Sequence, residues 1–346
     1  MYYFCCDYHE GCDPAILQAL TDTNPVQTPG YGLDRYCKAA RDAIVRELGD
    51  FHGEIHFVVG GTQANIITLI AGLAPYQGAL CAPTGHINVH ETGAIEAMGH
   101  KCLLVEGDAV GRVCPQSVRK ALEAHFKDGG NEHMVMPGML YISQSTELGG
   151  LYTKAQLQEL KEICEPYGVG IFIDGARLGY ALASPESDIT LSDLVSLCDA
   201  FTIGGTKQGL LFGEAIVLNR PERFPHFRYH IKRCGGLLAK GRLLGVQFET
   251  AFTSGVYFSN AKKAVKQALR IRQALEKAGF TPDVDSPTNQ QFFALPRTVY
   301  ERLSRKFVFE ISDFGEDRDT VHVRICTSWA TKEEAVSALI AEIGQE

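Results

Sequence analysis

The sequence predicts a layered α/β domain on a mainly parallel seven-stranded sheet flanked by helices, followed by a smaller α+β lobe. Three observations predict it. Short apolar runs alternate with longer helical patterns from about residue 54 to 218, the rhythm of strand–helix–strand units. Several of those runs end in glycine-framed polar residues, GGTQAN, DGAR and GGTK, where open α/β sheets present ligand-binding groups. Beyond residue 218 the pattern changes to one long helical stretch followed by closely spaced strand-like and helical segments.

In chain order, the first fifty residues carry GCDPAILQAL and TPGYGLDRY and are expected to pack with the small lobe. Strands are expected at 55–59, 79–82, 102–105, 134–142, 169–174, 200–204 and 215–218, each a short apolar run. Helical patterns at 62–73, 115–127 and 154–167 lie between them and would cover both sheet faces. The basic stretch RYHIKRCGGLLAKGRLLG then leads to a helix near 260–278, strands at 291–295, 307–311 and 321–326, and helices at 297–305 and 332–343. The expected division is therefore an N-terminal segment 1–50, a large domain 51–250 and a small domain 251–346.

The 346 residues are 45% hydrophobic and 21% charged, a composition that suits a globular enzyme and excludes a fibrous or disordered chain. A formal charge of −8 argues against a nucleic-acid surface. No apolar run is long enough to span a bilayer, and MYYFCCDYHEGCDP has no basic start followed by an apolar core, so no signal peptide is read. Eleven cysteines with no C-x-x-C pair read as reduced thiols, many of them buried, in a cytoplasmic protein. Cys5, Cys6 and Cys12 match no common ligand spacing.

Three segments carry chemistry. Gly60-Gly61-Thr62-Gln63-Ala64-Asn65 joins an apolar run to a helical pattern, and such a turn can hold a phosphate on backbone amides at a helix N-terminus; alternatively it is a plain turn with Thr62 as cap. Asp174-Gly175-Ala176-Arg177 closes the run VGIFI, which aims an acid into the ligand crevice; the alternative is a helix-capping Asp paired with Arg177. Gly204-Gly205-Thr206-Lys207 follows AFTI and frames a lysine with small neighbours, a setting for an imine-forming amine. Together they read as a pyridoxal 5′-phosphate (PLP) site: phosphate on the first, pyridinium nitrogen on Asp174, aldehyde carbon on Lys207.

On GGTQAN, GHINVHETGAIEAMGHK, the Asp-Gly-Ala-Arg motif and the lysine segment, the chain resembles, end to end, the threonine aldolases of the fold type I (aspartate aminotransferase-like) PLP enzymes. The resemblance implies phosphate contacts from Gly61 and Thr62, a Schiff-base Lys207 preceded by Thr206, and Asp174 on the pyridinium nitrogen. It implies that His86 stacks on the cofactor and serves the acid–base step, and that Arg177 and Arg324 hold the substrate carboxylate. Tyr31 matches a tyrosine near the neighbouring subunit's site, and Lys232 a basic residue near the phosphate. The implied reaction is cleavage of the Cα–Cβ bond of threonine or allo-threonine to glycine and acetaldehyde, in a homodimer or homotetramer with sites at the subunit boundary. The same cofactor also supports β-elimination or transamination, and a silent PLP-binding protein is a further alternative. Two departures fall near the substrate: the family's Ser-Asp-Thr is Cys6-Asp7-Tyr8, and the segment after the lysine is QGLLFGEA.

His86 and His90, four apart with Glu91 following, do not form a His-Glu-x-x-His face. No catalytic metal is expected, and His90 and Glu91 are expected to brace the helix.

Overall fold

The computed structural model describes residues 1–345. Its strands are β1 (Tyr2–Tyr3), β2 (Glu54–Val58), β3 (Gln77–Cys81), β4 (Cys102–Leu104), β5 (Met136–Ser143), β6 (Gly170–Asp174), β7 (Ala200–Gly204), β8 (Glu214–Leu218), β9 (Gln290–Pro296), β10 (Phe307–Val308), β11 (Glu310–Glu316) and β12 (Thr320–Cys326). Seven form one sheet in the order β2-β8-β7-β6-β5-β3-β4. Neighbours from β4 to β7 run parallel, whereas β8 is antiparallel to both β7 and β2. Connection length explains the exception. Parallel neighbours need a helical crossover, while the short loop between β7 and β8 returns the chain directly beside the strand it left.

Period-two alternation divides the sheet's apolar side chains between two cores. Ile171, Ile173, Phe201 and Ile203 enter one, and Phe172, Ala200, Ile216 and Leu218 the other. Both faces are thus covered, as continuous apolar strands require. The small lobe is an antiparallel sheet, β11-β12-β9, whose Phe293, Leu295, Val321 and Val323 pack with Ile271, Val336 and Leu339 from the helices Val256–Lys277 and Glu333–Ile343.

Two sequence expectations are corrected. Residues 307–311 are not one strand: β10 pairs with β1, β11 pairs with β12, and the chain changes partner at the buried Phe309. The first fifty residues also divide. Only β1 and Phe4 join the small lobe, whereas α1 (Pro14–Thr23) and α2 (Arg35–Leu48) bury Ile16, Ala40, Ala43, Ile44 and Leu48 in the large-domain core with Phe248 and Ala251. The apolar stripe on α2 needs an apolar surface, and the helix Arg242–Thr253 supplies it.

The backbone N–H of Phe4 donates to Val308 at 2.8 Å and Cys326 donates to the Phe4 carbonyl at 2.7 Å. These bonds tie the N-terminal strand to the small lobe and carry Cys6-Asp7-Tyr8 to the crevice between lobe and sheet. All eleven cysteines are free thiols. Among the described residues no helix is long and apolar enough to cross a membrane.

Candidate active site

A cavity of about 320 Å³ opens where β5, β6 and β7 end, lined by His86, Glu147, Arg177, Lys207 and Arg324 together with Tyr8. Four residues singled out in the sequence therefore meet, although they come from four separate stretches of chain.

The floor is a hydrogen-bonded chain. Asp174, at the carboxyl end of β6, accepts from Tyr141 at 2.6 Å, from Asn65 Nδ2 at 2.8 Å and from the Ala176 N–H at 2.9 Å. Asn65 Nδ2 donates also to Glu91 Oε1 at 2.7 Å, and that oxygen lies 2.8 Å from His86 Nδ1. Asn65 projects from α3 (Gly61–Gly72) and His86 opens α4 (His86–Val89). Burial would raise the Asp174 carboxyl, but the His86 charge and the bonds from Tyr141 and Asn65 hold it below its ordinary 3.8. Burial would lower His86, and the bond to Glu91 with the Asp174 charge raises it instead. Glu91 thus does more than brace the helix: it holds the ring of His86. His90 also reaches the cavity.

Lys207 follows β7, in the short turn Thr206–Gln208. Among the described residues its Nζ has no hydrogen-bonding or ion-pair partner, and its end opens on the cavity. Burial and the Arg177 charge push its pKa below the ordinary 10.5, against the pull of Asp7, Asp174 and Glu214. Thr206 Oγ1 accepts from the Gly213 N–H at 3.1 Å, which pins the turn. Glu214 is buried, and burial with the Asp174 charge raises its carboxyl to about 8.

On the substrate side, Arg177 donates to both oxygens of Asp7, at 2.8 and 3.1 Å. Burial notwithstanding, the Arg177 and Lys207 charges lower Asp7 to about 2. Asn289 adds a bond to Asp7 at 2.9 Å. Arg324, on β12, pairs with Glu310 on β11 and donates to Gln290 Oε1 at 3.2 Å. Each arginine expected at a substrate carboxylate is therefore already matched by an acid of the chain.

Tyr31 and Lys232 lie apart from the cavity lining. Lys232 Nζ sits 5.1 Å from the centre of the Tyr31 ring, and Arg228 donates to the Tyr31 carbonyl at 3.2 Å. Sequence reasoning did not single out Asn65, Tyr141 or Glu147. Asn65 carries a signal, a polar residue inside an otherwise apolar helical run, and Glu147 follows the end of β5 as Lys207 follows β7.

Three features suit these residues to pyridoxal phosphate. No side chain caps the start of α3, and the space beside Gly60 and Gly61 is open, so first-turn N–H groups can meet a phosphate near Thr62. Asp174 is a buried carboxylate kept anionic, as a partner for a pyridinium requires. Lys207 is an amine with a depressed pKa and no partner. Among the described residues no group of His, Cys, Asp and Glu could hold a metal ion.

A family model described as beta-eliminating lyase matches residues 13–296. A solved threonine aldolase from Leishmania major superposes with a TM-score of 0.95 at 37% identity, covering 99% of this chain and 98% of that one. The low specificity L-threonine aldolase of Pseudomonas aeruginosa is 27% identical over 344 residues, 98% of this chain and 96% of its own length. Cystalysin from Treponema denticola, a structure that contains a pyridoxal 5′-phosphate cofactor, shares the fold with a TM-score of 0.73 at 14% identity, over 99% of this chain and 90% of that one.

Proposed function

From the premise that the chain belongs to the beta-eliminating lyase and threonine aldolase family, we propose that it is a PLP-dependent carbon–carbon lyase that cleaves L-threonine or L-allo-threonine to glycine and acetaldehyde. The observation that carries this reading is the partnerless Lys207 amine opening on the same cavity as His86, Arg177 and Arg324, with Asp174 fixed beneath.

When bound, the cofactor supplies an electron sink for the pair released at the substrate's α-carbon. Lys207 would hold it covalently, and its depressed pKa keeps more of it as free amine than an exposed lysine would be. Asp174 would hold the ring nitrogen, and the N-terminal amides of α3 with Gly61, Thr62 and Thr206 would hold the phosphate. Lys232 is assigned to the phosphate side. Arg177 and Arg324 orient the substrate carboxylate; Arg177 keeps Asp7 as its standing partner, and Arg324 exchanges Glu310 for substrate. Orientation decides which α-carbon bond breaks, because the electron sink serves several. His86 would face the cofactor from the cavity wall, and its raised pKa suits it to carry a proton there rather than to remove one.

The working unit on this reading is a cytoplasmic homodimer or homotetramer, with the exposed Tyr31 beside the partner's site. Product analysis tests the function. Incubation of the PLP-loaded protein with L-threonine and L-allo-threonine should yield acetaldehyde and glycine in equal amounts. Ammonia with a keto acid would instead report elimination, pyridoxamine phosphate would report transamination, and a bound cofactor with no turnover would report a silent binding protein.

A further inference from the structure

Aldol cleavage requires a group to take the proton of the β-hydroxyl, and no residue assigned so far is suited to it. His86 is held toward its cationic form by Glu91 and Asp174, Lys207 is beside the α-carbon chemistry, and the arginines cannot accept a proton. Glu147 remains. It follows β5, is half-buried, and lines the same cavity as Lys207 and His86. Two bonds fix it: the His86 N–H donates to Oε1 at 3.1 Å and Ser143 Oγ donates to the same oxygen at 2.7 Å. Both land on Oε1, so Oε2 takes part in neither bond.

We propose that Glu147 is the catalytic base, accepting the substrate's β-hydroxyl proton on Oε2; this deepens the aldolase reading and rests on it. The O–H bond breaks with its proton passing to Oε2, and its electron pair forms the aldehyde C=O. The Cα–Cβ pair stays with the amino-acid fragment, which takes one proton at Cα to become glycine, so the proton lost from the hydroxyl is matched by the one gained at Cα and none is gained or lost overall. Glu147 pairs with neither arginine; its bonds are to the backbone N–H of His86 and to Ser143.

Burial raises the Glu147 carboxyl above its ordinary 4.5, opposed by the Ser143 bond, with Asp174 raising it further and His86 lowering it. Tyr141 and Tyr152 also feel its charge. Across the cavity face His90, Arg177, Lys207, Arg324, Glu310 and Tyr8. A base must be ionised to act, so cleavage should fall as pH drops through a value above the usual carboxylate range.

The test uses PLP-loaded protein and Glu147→Gln, which preserves an acceptor for both fixed bonds. Two reactions are followed: L-threonine cleavage, and exchange of the glycine α-proton in deuterium oxide, which involves no hydroxyl. Cleavage should fall by about 10²–10⁴-fold while exchange stays within about threefold of wild type. Infrared titration of the wild type should show a carboxylic acid band, missing from the variant, that grows along the acid limb of the cleavage profile. The wild-type profiles alone give a check that needs no variant: cleavage should have an acid limb that glycine exchange lacks. Cleavage by the variant at the wild-type rate, equal losses in both reactions, or a limb shared by both reactions would overturn the assignment. A wild type that exchanges glycine but does not cleave threonine would overturn the aldolase reading itself, and this base with it.

Discussion

The floor and the rim of the cavity are built differently. On the floor, Asp174, Asn65, Tyr141, Glu91 and His86 form one buried chain of bonds between 2.6 and 2.8 Å, all drawn from the large domain. On the rim, Arg324 and Glu310 come from the small lobe, Tyr8 from the N-terminal segment, and Glu310 is about half exposed. Arg177 joins the two, since its partner Asp7 arrives with the N-terminal strand. A cofactor that stays in place is served by fixed, mutually bonded partners. A substrate that comes and goes is better served by partners that exchange.

The sharpest break of this contrast is Lys207→Ala, which removes the amine that both halves converge on. Activity should fall by at least about 10³-fold and the visible absorbance of lysine-bound cofactor should vanish; absorption spectroscopy and product assay check both.

Next in size is Asp7→Ala. It strands the Arg177 charge in a buried site and should destabilise the chain by about 3–5 kcal/mol in a denaturant titration at neutral pH. The sign with pH follows from Asp7 being lowered to about 2 from 3.8. Its contribution is complete above 3.8 and is lost as pH falls through about 2, so wild type and variant should converge in acid.

Glu91→Gln probes the floor from within. Burial of His86 would then be less opposed, so its pKa should drop, seen by NMR titration of the ring, with turnover slowed about tenfold or more. An unchanged His86 titration would mean that Glu91 does not set its charge.

The smallest effect belongs to the rim. Glu310→Gln frees Arg324 for the substrate carboxylate, and because the pair is partly exposed, KM for L-threonine should fall by less than about fivefold with kcat nearly unchanged. A large loss in kcat would place Glu310 with the fixed floor instead.

Legibility in the sequence follows the same division. Gly61, Asp174 and Lys207 could be singled out as candidates because each sits at a strand end framed by small residues, so local pattern alone positions it. The alternation of apolar runs likewise predicted seven strands, though not the reversal of β8, which depends on which edge the chain returns to. Asn65, Glu91 and Glu147 were obscure because their meaning lies in partners far along the chain: Asn65 gains its role only where α3 meets β6 and α4. The pairing of Arg324 with Glu310 depends on the β11–β12 register, and Asp7 on the pairing of β1 with β10. Neither register can be read from local composition.

The most direct measurement of the central claim is to reduce the PLP-loaded protein with borohydride, digest it and locate the pyridoxyl group by mass spectrometry. The account predicts a single modified peptide carrying the group on Lys207. A group on another lysine, Lys232 included, or no covalent group at all, would contradict it.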